Sequence, residues 1–194
     1  MRTFRRVCVY CAASNDVHER WREVARETGR ILASQGIAVV YGGGRVGLMG
    51  ELANAALAAG GQVLGVIPDR LRALELEHQG LSELFVVDSM HTRKMMMAQL
   101  SDAFIALPGG WGTMEELMEI TTWNQLGFQA KPVGVLNVDG YYDLLLAWVA
   151  QARAAGFLSP RDADLLHAHA EIAPLLDTLA DAAPAPAPRW MPRP

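Results

Sequence analysis

The sequence predicts an α/β fold, a mostly parallel sheet of six or seven strands flanked by helices. Short apolar runs rich in Val and Ile alternate along the chain with amphipathic stretches at helical spacing. The apolar runs are continuous rather than alternating with polar residues, which is the pattern of strands covered on both faces. The glycine-rich and charged segments fall directly after these runs. Ligands of parallel sheets bind there, beyond the carboxyl ends of the strands.

Taken in order, strands are expected over residues 5–10, 37–41, 62–67, 84–87, 103–107 and 132–136. The first helix is expected over 17–34, where Trp21, Val24, Ala25, Thr28, Ile31 and Leu32 recur on one face. Further helices are expected over 46–59, 91–100, 113–126 and 141–155, and Gly36 and Gly60 or Gly61 stand where helices stop. After Gly156 the pattern weakens, to a short strand over 165–168 and a helix over 173–182. With 194 residues, one domain is expected over 1–181, followed by a disordered Ala/Pro-rich tail over 182–194.

The formal charge is −4, so there is no broad basic surface for nucleic acid, and an anionic ligand needs a local site. The apolar runs fall far short of the ~20 residues of a membrane span. The basic start MRTFRRV leads into an apolar run too short for a secretory signal, so a cytoplasmic protein is expected. Cys8 and Cys11 stand as C-x-x-C, but no second pair exists and the run is strand-like. Two small buried residues are expected there rather than a redox or metal site.

Two glycine loops carry the chemistry. Tyr41 is followed by GGGRVGLMG, in which Gly42, Gly44 and Gly47 match G-x-G-x-x-G. A dinucleotide site would also need an acid at the end of the next strand. That strand instead runs Gly65-Val66-Ile67-Pro68, with Asp69 displaced past the proline. A phosphate cradle including Gly43 and Gly44, or a tight turn packed on the sheet, both fit the loop. The second loop is Pro108-Gly109-Gly110-Trp111-Gly112-Thr113, after a strand and before a helix. Its amides and the Thr113 hydroxyl form a second candidate cradle, and no G-K-[ST] follows to make it a P-loop.

Thr113 and Glu116 have the T-x-x-E spacing of a capping box. Alternatively, Glu116 is a catalytic carboxylate beside a phosphosugar. It would stabilise the oxocarbenium-like transition state of N-glycosidic cleavage and orient water. Glu115 points about 100° away around the helix, so one of the two faces a ligand closely. Upstream, Asp88 or Ser89 is expected to cap a helix that carries Arg93 and Lys94 in its early turns. The helix dipole disfavours cations there, and such a pair points to a nearby anion. A solvated helix face is the plain alternative.

Together these segments resemble the Lonely Guy (LOG) family, cytokinin riboside 5′-monophosphate phosphoribohydrolases. The family's PGGxGTxxE stands at residues 108–116, its M-H-x-R-K at 90–94 and its Y-G-G-G-x-x-G-L-M-G at 41–50. The resemblance implies a Rossmann-like three-layer fold and hydrolysis of AMP or an N6-substituted AMP to free base and ribose 5-phosphate. It implies Arg93 and Glu116 as the catalytic pair. Glu75, Lys94, Thr122 and the stretch Gly110, Trp111, Gly112, Thr113, Met114 and Glu115 would contact the nucleotide, with Gly43, Gly44 and Gly109 in the phosphate loops. It further implies no metal, no cofactor and a homodimer with the site near the subunit interface. Ala12-Ala13 and Arg45 depart from residues common in the family and bear on phosphate binding. The family has also been called lysine decarboxylase. That chemistry uses pyridoxal phosphate on a Schiff-base lysine, and neither Lys94 nor Lys131 stands in a context that argues for one. The competing expectation is a non-enzymatic nucleotide or molybdenum-cofactor carrier using the same cradle. A pure interaction protein is the third reading, and Trp111, Trp123 and residues 95–97 could form a dimer face in any of the three.

Overall fold

The computed structural model describes residues 3–72 and 77–182. Glu75 and the tail residues 183–194 lie outside the described residues. Seven strands are present: β1 (Arg6–Tyr10), β2 (Ala38–Tyr41), β3 (Val63–Pro68), β4 (Glu83–Val87), β5 (Ala103–Ala106), β6 (Val133–Leu136) and β7 (Leu166–His169). They form one sheet in the order β4-β3-β2-β1-β5-β6-β7, and every neighbouring pair is parallel. The helices are α1 (Glu19–Ser34), α2 (Gly47–Ala58), α3 (Asp69–Arg72), α4 (Met90–Leu100), α5 (Trp111–Leu126), α6 (Asp143–Ala154), α7 (Pro160–Ala163) and α8 (Ile172–Asp181). The longer helices lie where the apolar periodicity puts them. The one-turn helices α3 and α7 are too short for any periodicity to announce them.

Two cores lie on either side of the sheet, giving three layers. Val7, Val9, Val39 and Ile105 pack on one face against Ala25 and Leu32 of α1, Leu52 and Ala56 of α2, and Leu175 and Leu179 of α8. Cys8, Val40, Val66 and Phe104 pack on the other against Met97 of α4, Leu117 and Ile120 of α5, and Tyr142. The central strands are buried on both faces, which explains their unbroken apolar sequence. Cys8 and Cys11 are free thiols belonging to opposite cores, and burial pushes both thiols far above the ordinary cysteine range. Their spacing thus reflects a buried strand.

Strand order decides where a ligand can bind. After β1 the chain builds outward through β2, β3 and β4, then returns to place β5 on the other side of β1. The connections leaving β1 and β5 therefore diverge, and a crevice opens above them at the carboxyl edge of the sheet.

Candidate active site

That crevice holds a cavity of about 310 Å³, near the lower end of the roughly 300–1,000 Å³ range of small-ligand clefts. Its floor is the end of β1 with Ala12, Ala13 and Ser14; its walls come from Gly42, Met49 and α4, and from the start of α5. Arg93 and Glu116 both line it, as do Gly110, Trp111, Gly112, Thr113 and Glu115.

Arg93 is seated from below. Its Nε donates to the Val66 carbonyl at 3.1 Å and its Nη2 to the Gly42 carbonyl at 2.9 Å, at the ends of β3 and β2. Among the described residues the remaining Nη1 has only the Met90 thioether sulfur, at 3.8 Å. The buried guanidinium thus spends two donors on orientation and leaves its Nη1 side without an oxygen partner among the described residues. Gly42 makes this seat possible, because a Cβ there would lie 1.7 Å from Arg93 Nη2. Ser89 caps α4 as expected, accepting from Thr92 N at 3.1 Å.

Glu116 is half-buried on the second turn of α5, and its carboxyl has no hydrogen bond among the described residues. Burial raises its pKa from 4.5 to about 7; Arg93 and Lys94 pull it down, and Glu115 and Glu119 push it up. A carboxyl poised near neutrality beside a guanidinium suits proton transfer. The capping box expected between Thr113 and Glu116 does not form. Helix α5 starts two residues earlier, with Gly110 as N-cap and no side-chain cap. Thr113 is therefore an interior residue of the first turn, 3% exposed, and its hydroxyl has no partner among the described residues. The uncapped amides of Trp111, Gly112 and Thr113, with that hydroxyl, form a donor cluster beside Arg93 and Glu116.

The first glycine loop works differently from a cradle. Two of the first three amides of α2 are already taken: Gly47 N donates to Asn15 Oδ1 at 2.8 Å and Leu48 N to the Ala12 carbonyl at 2.9 Å. Gly47, at φ +59°, has no room for a side chain, since a Cβ would meet Ser14 O at 2.5 Å. Gly43 and Gly44 are buried beneath the cavity; Gly43 O accepts from His78 N at 3.0 Å, and Gly44 bridges to Glu77. This loop packs the chain closely and seats Arg93, while the open helix end belongs to α5.

Lys94 is turned away from the cavity. Its ammonium is paired with Glu115 and, at 3.0 Å, with Glu119. Burial would lower its pKa, but the two carboxylates outweigh that and raise it. The anion that this position called for is therefore partly supplied by α5 itself. Met114 packs against the core beside Leu117, and Gly109 lies behind the turn. Thr122 is exposed, donates to the Met118 carbonyl at 2.7 Å and lies outside the cavity wall. Residues missed from sequence are Met49, Met90 and Met97, whose side chains line the wall, and Tyr141 and Tyr142, which hold the β5–α5 turn. Methionines in helices read as core, and nothing in the tyrosine pair announces its target.

The second lysine also faces elsewhere: Lys131 Nζ donates to the Ala98 carbonyl at 2.7 Å. Neither lysine reaches the cavity, so the residues present do not fit a pyridoxal phosphate site.

Fold and site define a Rossmann-like α/β protein with a cavity at the topological switch point. The family described as "Possible lysine decarboxylase" matches residues 49–179. The cytokinin riboside 5′-monophosphate phosphoribohydrolase LOG3 of Arabidopsis thaliana is 45% identical over 181 residues, 93% of this chain and 84% of that protein. LOG1 of the same plant, with the same activity in its name, is 48% identical over 157 residues, 81% of this chain and 74% of its own. The chain belongs to the Lonely Guy (LOG) family. Among solved structures, the molybdenum cofactor carrier protein of Chlamydomonas reinhardtii superposes with a TM-score of 0.67 at 22% identity, covering 89% of this chain and 94% of its own. The molybdenum cofactor binding protein of Rippkaea orientalis gives 0.67 at 21%, over 89% and 93%. These two likenesses concern the fold.

Proposed function

We propose that the cavity binds a purine nucleoside 5′-monophosphate, AMP or an N6-substituted AMP, and hydrolyses its N-glycosidic bond to free base and ribose 5-phosphate. The observation that carries this is the meeting of Arg93 and Glu116 in one cavity beside the uncapped start of α5. Relatives of this chain carry the activity in their names at 45% and 48% identity.

The phosphate sits at the amides of residues 111–113 and the Thr113 hydroxyl, where the dipole of α5 favours negative charge. Arg93 Nη1 holds a phosphate or ribose oxygen. As the C1′–N bond breaks, its electron pair leaves with the base, and the ionised Glu116 carboxylate stabilises the cationic ribose. Water adds to C1′ and passes a proton to Glu116, the departing base takes up a proton from solvent and Glu116 gives its own back to solvent, so one water is consumed per bond broken. The chemistry calls on no metal or cofactor. Met114 and the loop glycines Gly43, Gly44 and Gly109 serve as supports around this centre, while Lys94 and Thr122 stand outside the cavity lining.

We also propose a cytoplasmic homodimer formed along α4 and α5. Met95 and Phe128 stand exposed there around an apolar hollow of about 630 Å³ next to Trp123. No helix among the described residues is long and apolar enough to cross a membrane, and the surface charge gives no nucleic-acid footprint.

The test is incubation with AMP and with isopentenyl-AMP, following base and ribose 5-phosphate. Glu116→Ala is expected to lower turnover at least about a hundredfold while the fold persists. Absence of base release from every monophosphate tried would remove the hydrolase. Ligand recovered intact after long incubation would favour a carrier instead.

A further inference from the structure

The β5–α5 turn is held from behind by two neighbouring tyrosines that no step of the proposed reaction uses. Tyr142 Oη donates to the Leu107 carbonyl at 2.6 Å, and Tyr141 Oη donates to the Gly109 carbonyl at 2.8 Å. Tyr142 is 2% exposed and belongs to the core, so its hydroxyl mainly satisfies a buried carbonyl. Tyr141 is different: its ring is 45% exposed, and it reaches across 32 residues to one carbonyl of the turn.

The peptide that Tyr141 holds has a particular property. In a trans peptide the C=O and the N–H point in opposite directions, and no cis bond occurs among the described residues. Fixing the Gly109 carbonyl toward Tyr141 therefore aims the Gly110 N–H away from it. Gly110 lines the cavity, and its N–H has no partner among the described residues. Both residues of this unit are glycine. Turning the peptide over would carry Gly110 from φ −94° to positive φ, which glycine accepts. A Cβ at Gly110 would meet nothing within 4 Å, whereas one at Gly109 would meet the Thr113 side chain. The backbone freedom of glycine thus leaves the orientation of this peptide to be set by its partners.

The mount of Tyr141 is correspondingly stiff. Trp21 of α1 packs edge-on against its ring at 5.5 Å, Tyr142 packs against it at 5.1 Å, and Arg20 lies over Trp21 at 4.9 Å. Asn137 accepts from Tyr142 N at 2.7 Å and donates to Asp143 at 2.8 Å, bracing the turn that carries both tyrosines.

We infer that Tyr141 is a positioning residue: its hydroxyl locks the Gly109–Gly110 peptide in the orientation that presents the Gly110 N–H to an oxyanion in the cavity. The inference rests on the proposed placement of the phosphate at the start of α5. It extends that site to a fourth backbone donor and to an aromatic brace anchored in α1.

Tyr141→Phe keeps the ring and removes only the hydroxyl. Binding of inorganic phosphate, followed by calorimetry on the full chain, is expected to weaken about tenfold, as for one lost hydrogen bond to a charged group. KM for AMP is expected to rise by a similar factor, with kcat within about threefold and the thermal midpoint within about 2 °C of the parent. Trp21→Leu, which loosens the ring but keeps the hydroxyl, is expected to give a smaller loss in the same direction. Phosphate affinity within twofold of the parent in Tyr141→Phe would overturn the inference. So would an equal loss of affinity for adenosine, which carries no phosphate, or a parent protein that binds no phosphate. If the parent binds phosphate, Tyr141→Phe weakens it, and neither cleaves AMP, the positioning role stands and the hydrolase falls.

Discussion

Glu116 and Arg93 line one cavity from two helices, and Arg93 pulls against the burial of the Glu116 carboxyl. Burial raises the Glu116 carboxyl to about 7, so below neutrality the acid holds its proton and the carboxylate that the reaction needs is scarce. Activity with AMP is therefore expected to rise with pH and level off above about 7, and a pH profile of kcat/KM reads this directly. The same shift bears on stability. The folded-state pKa lies above the ordinary value of 4.5, so the stabilisation from the proton is complete below about 4.5 and is lost as pH rises through about 7. Glu116→Gln, permanently neutral, is expected to abolish turnover and to make the protein more stable than its parent at pH 8, by about 1–3 kcal/mol. Denaturant titration at pH 5 and pH 8 checks both the sign and the window. For Arg93 the decisive neighbour has no side chain. Gly42→Ala would put a methyl on the guanidinium, so it is expected to cut activity at least about tenfold while leaving Arg93 and Glu116 themselves unchanged. Wild-type turnover in that variant would dissociate the carbonyl seat from function.

At the scale of elements, strands and long helices were legible because burial on two faces and helical periodicity leave different marks on sequence. Ends shifted by one or two residues, and the shift that mattered was at α5. The T-x-x-E spacing mimicked a capping box, but the helix begins at Trp111, and this changes Thr113 from a cap into a donor. The glycine loop before α2 was legible as a site where backbone approaches backbone, but not for what approaches it. The partner is the chain itself, since Asn15 and Ala12 occupy the helix end. Long-range pairs of this kind have no local signature, and the same holds for Lys94 with Glu119. Asn15→Ala leaves the Gly47 N–H unpaired and is expected to cost about 1 kcal/mol, visible as a lower thermal midpoint. If α2 is packed there as described, inorganic phosphate will not restore the loss. Rescue by phosphate would return the anion site to this helix.

For the whole molecule, parallel topology was predictable from the alternation of elements, and strand order was not. Only the return of the chain from β4 to β5 places the two functional loops side by side. Surface chemistry is the other property that belongs to this scale. Helix α5 carries Glu116 on one side and runs to Leu126, beside the exposed Phe128. In the proposed dimer, Phe128→Asp places a charge in the contact. It is expected to shift the protein toward monomer in sedimentation at micromolar concentration, and an unchanged sedimentation coefficient would remove this face from the assembly.

The paired thiols of β1 turn that central strand into an internal gauge. Cys8 has no exposure at all, and Cys11 sits 8% exposed at the floor of the cavity. An alkylating reagent reaches the first only when the middle of the sheet comes apart, whereas an occupant of the cleft suffices to shield the second. The chain thus carries two built-in probes about 10 Å apart along one strand, one clocking global opening and the other occupancy, with no label to be engineered.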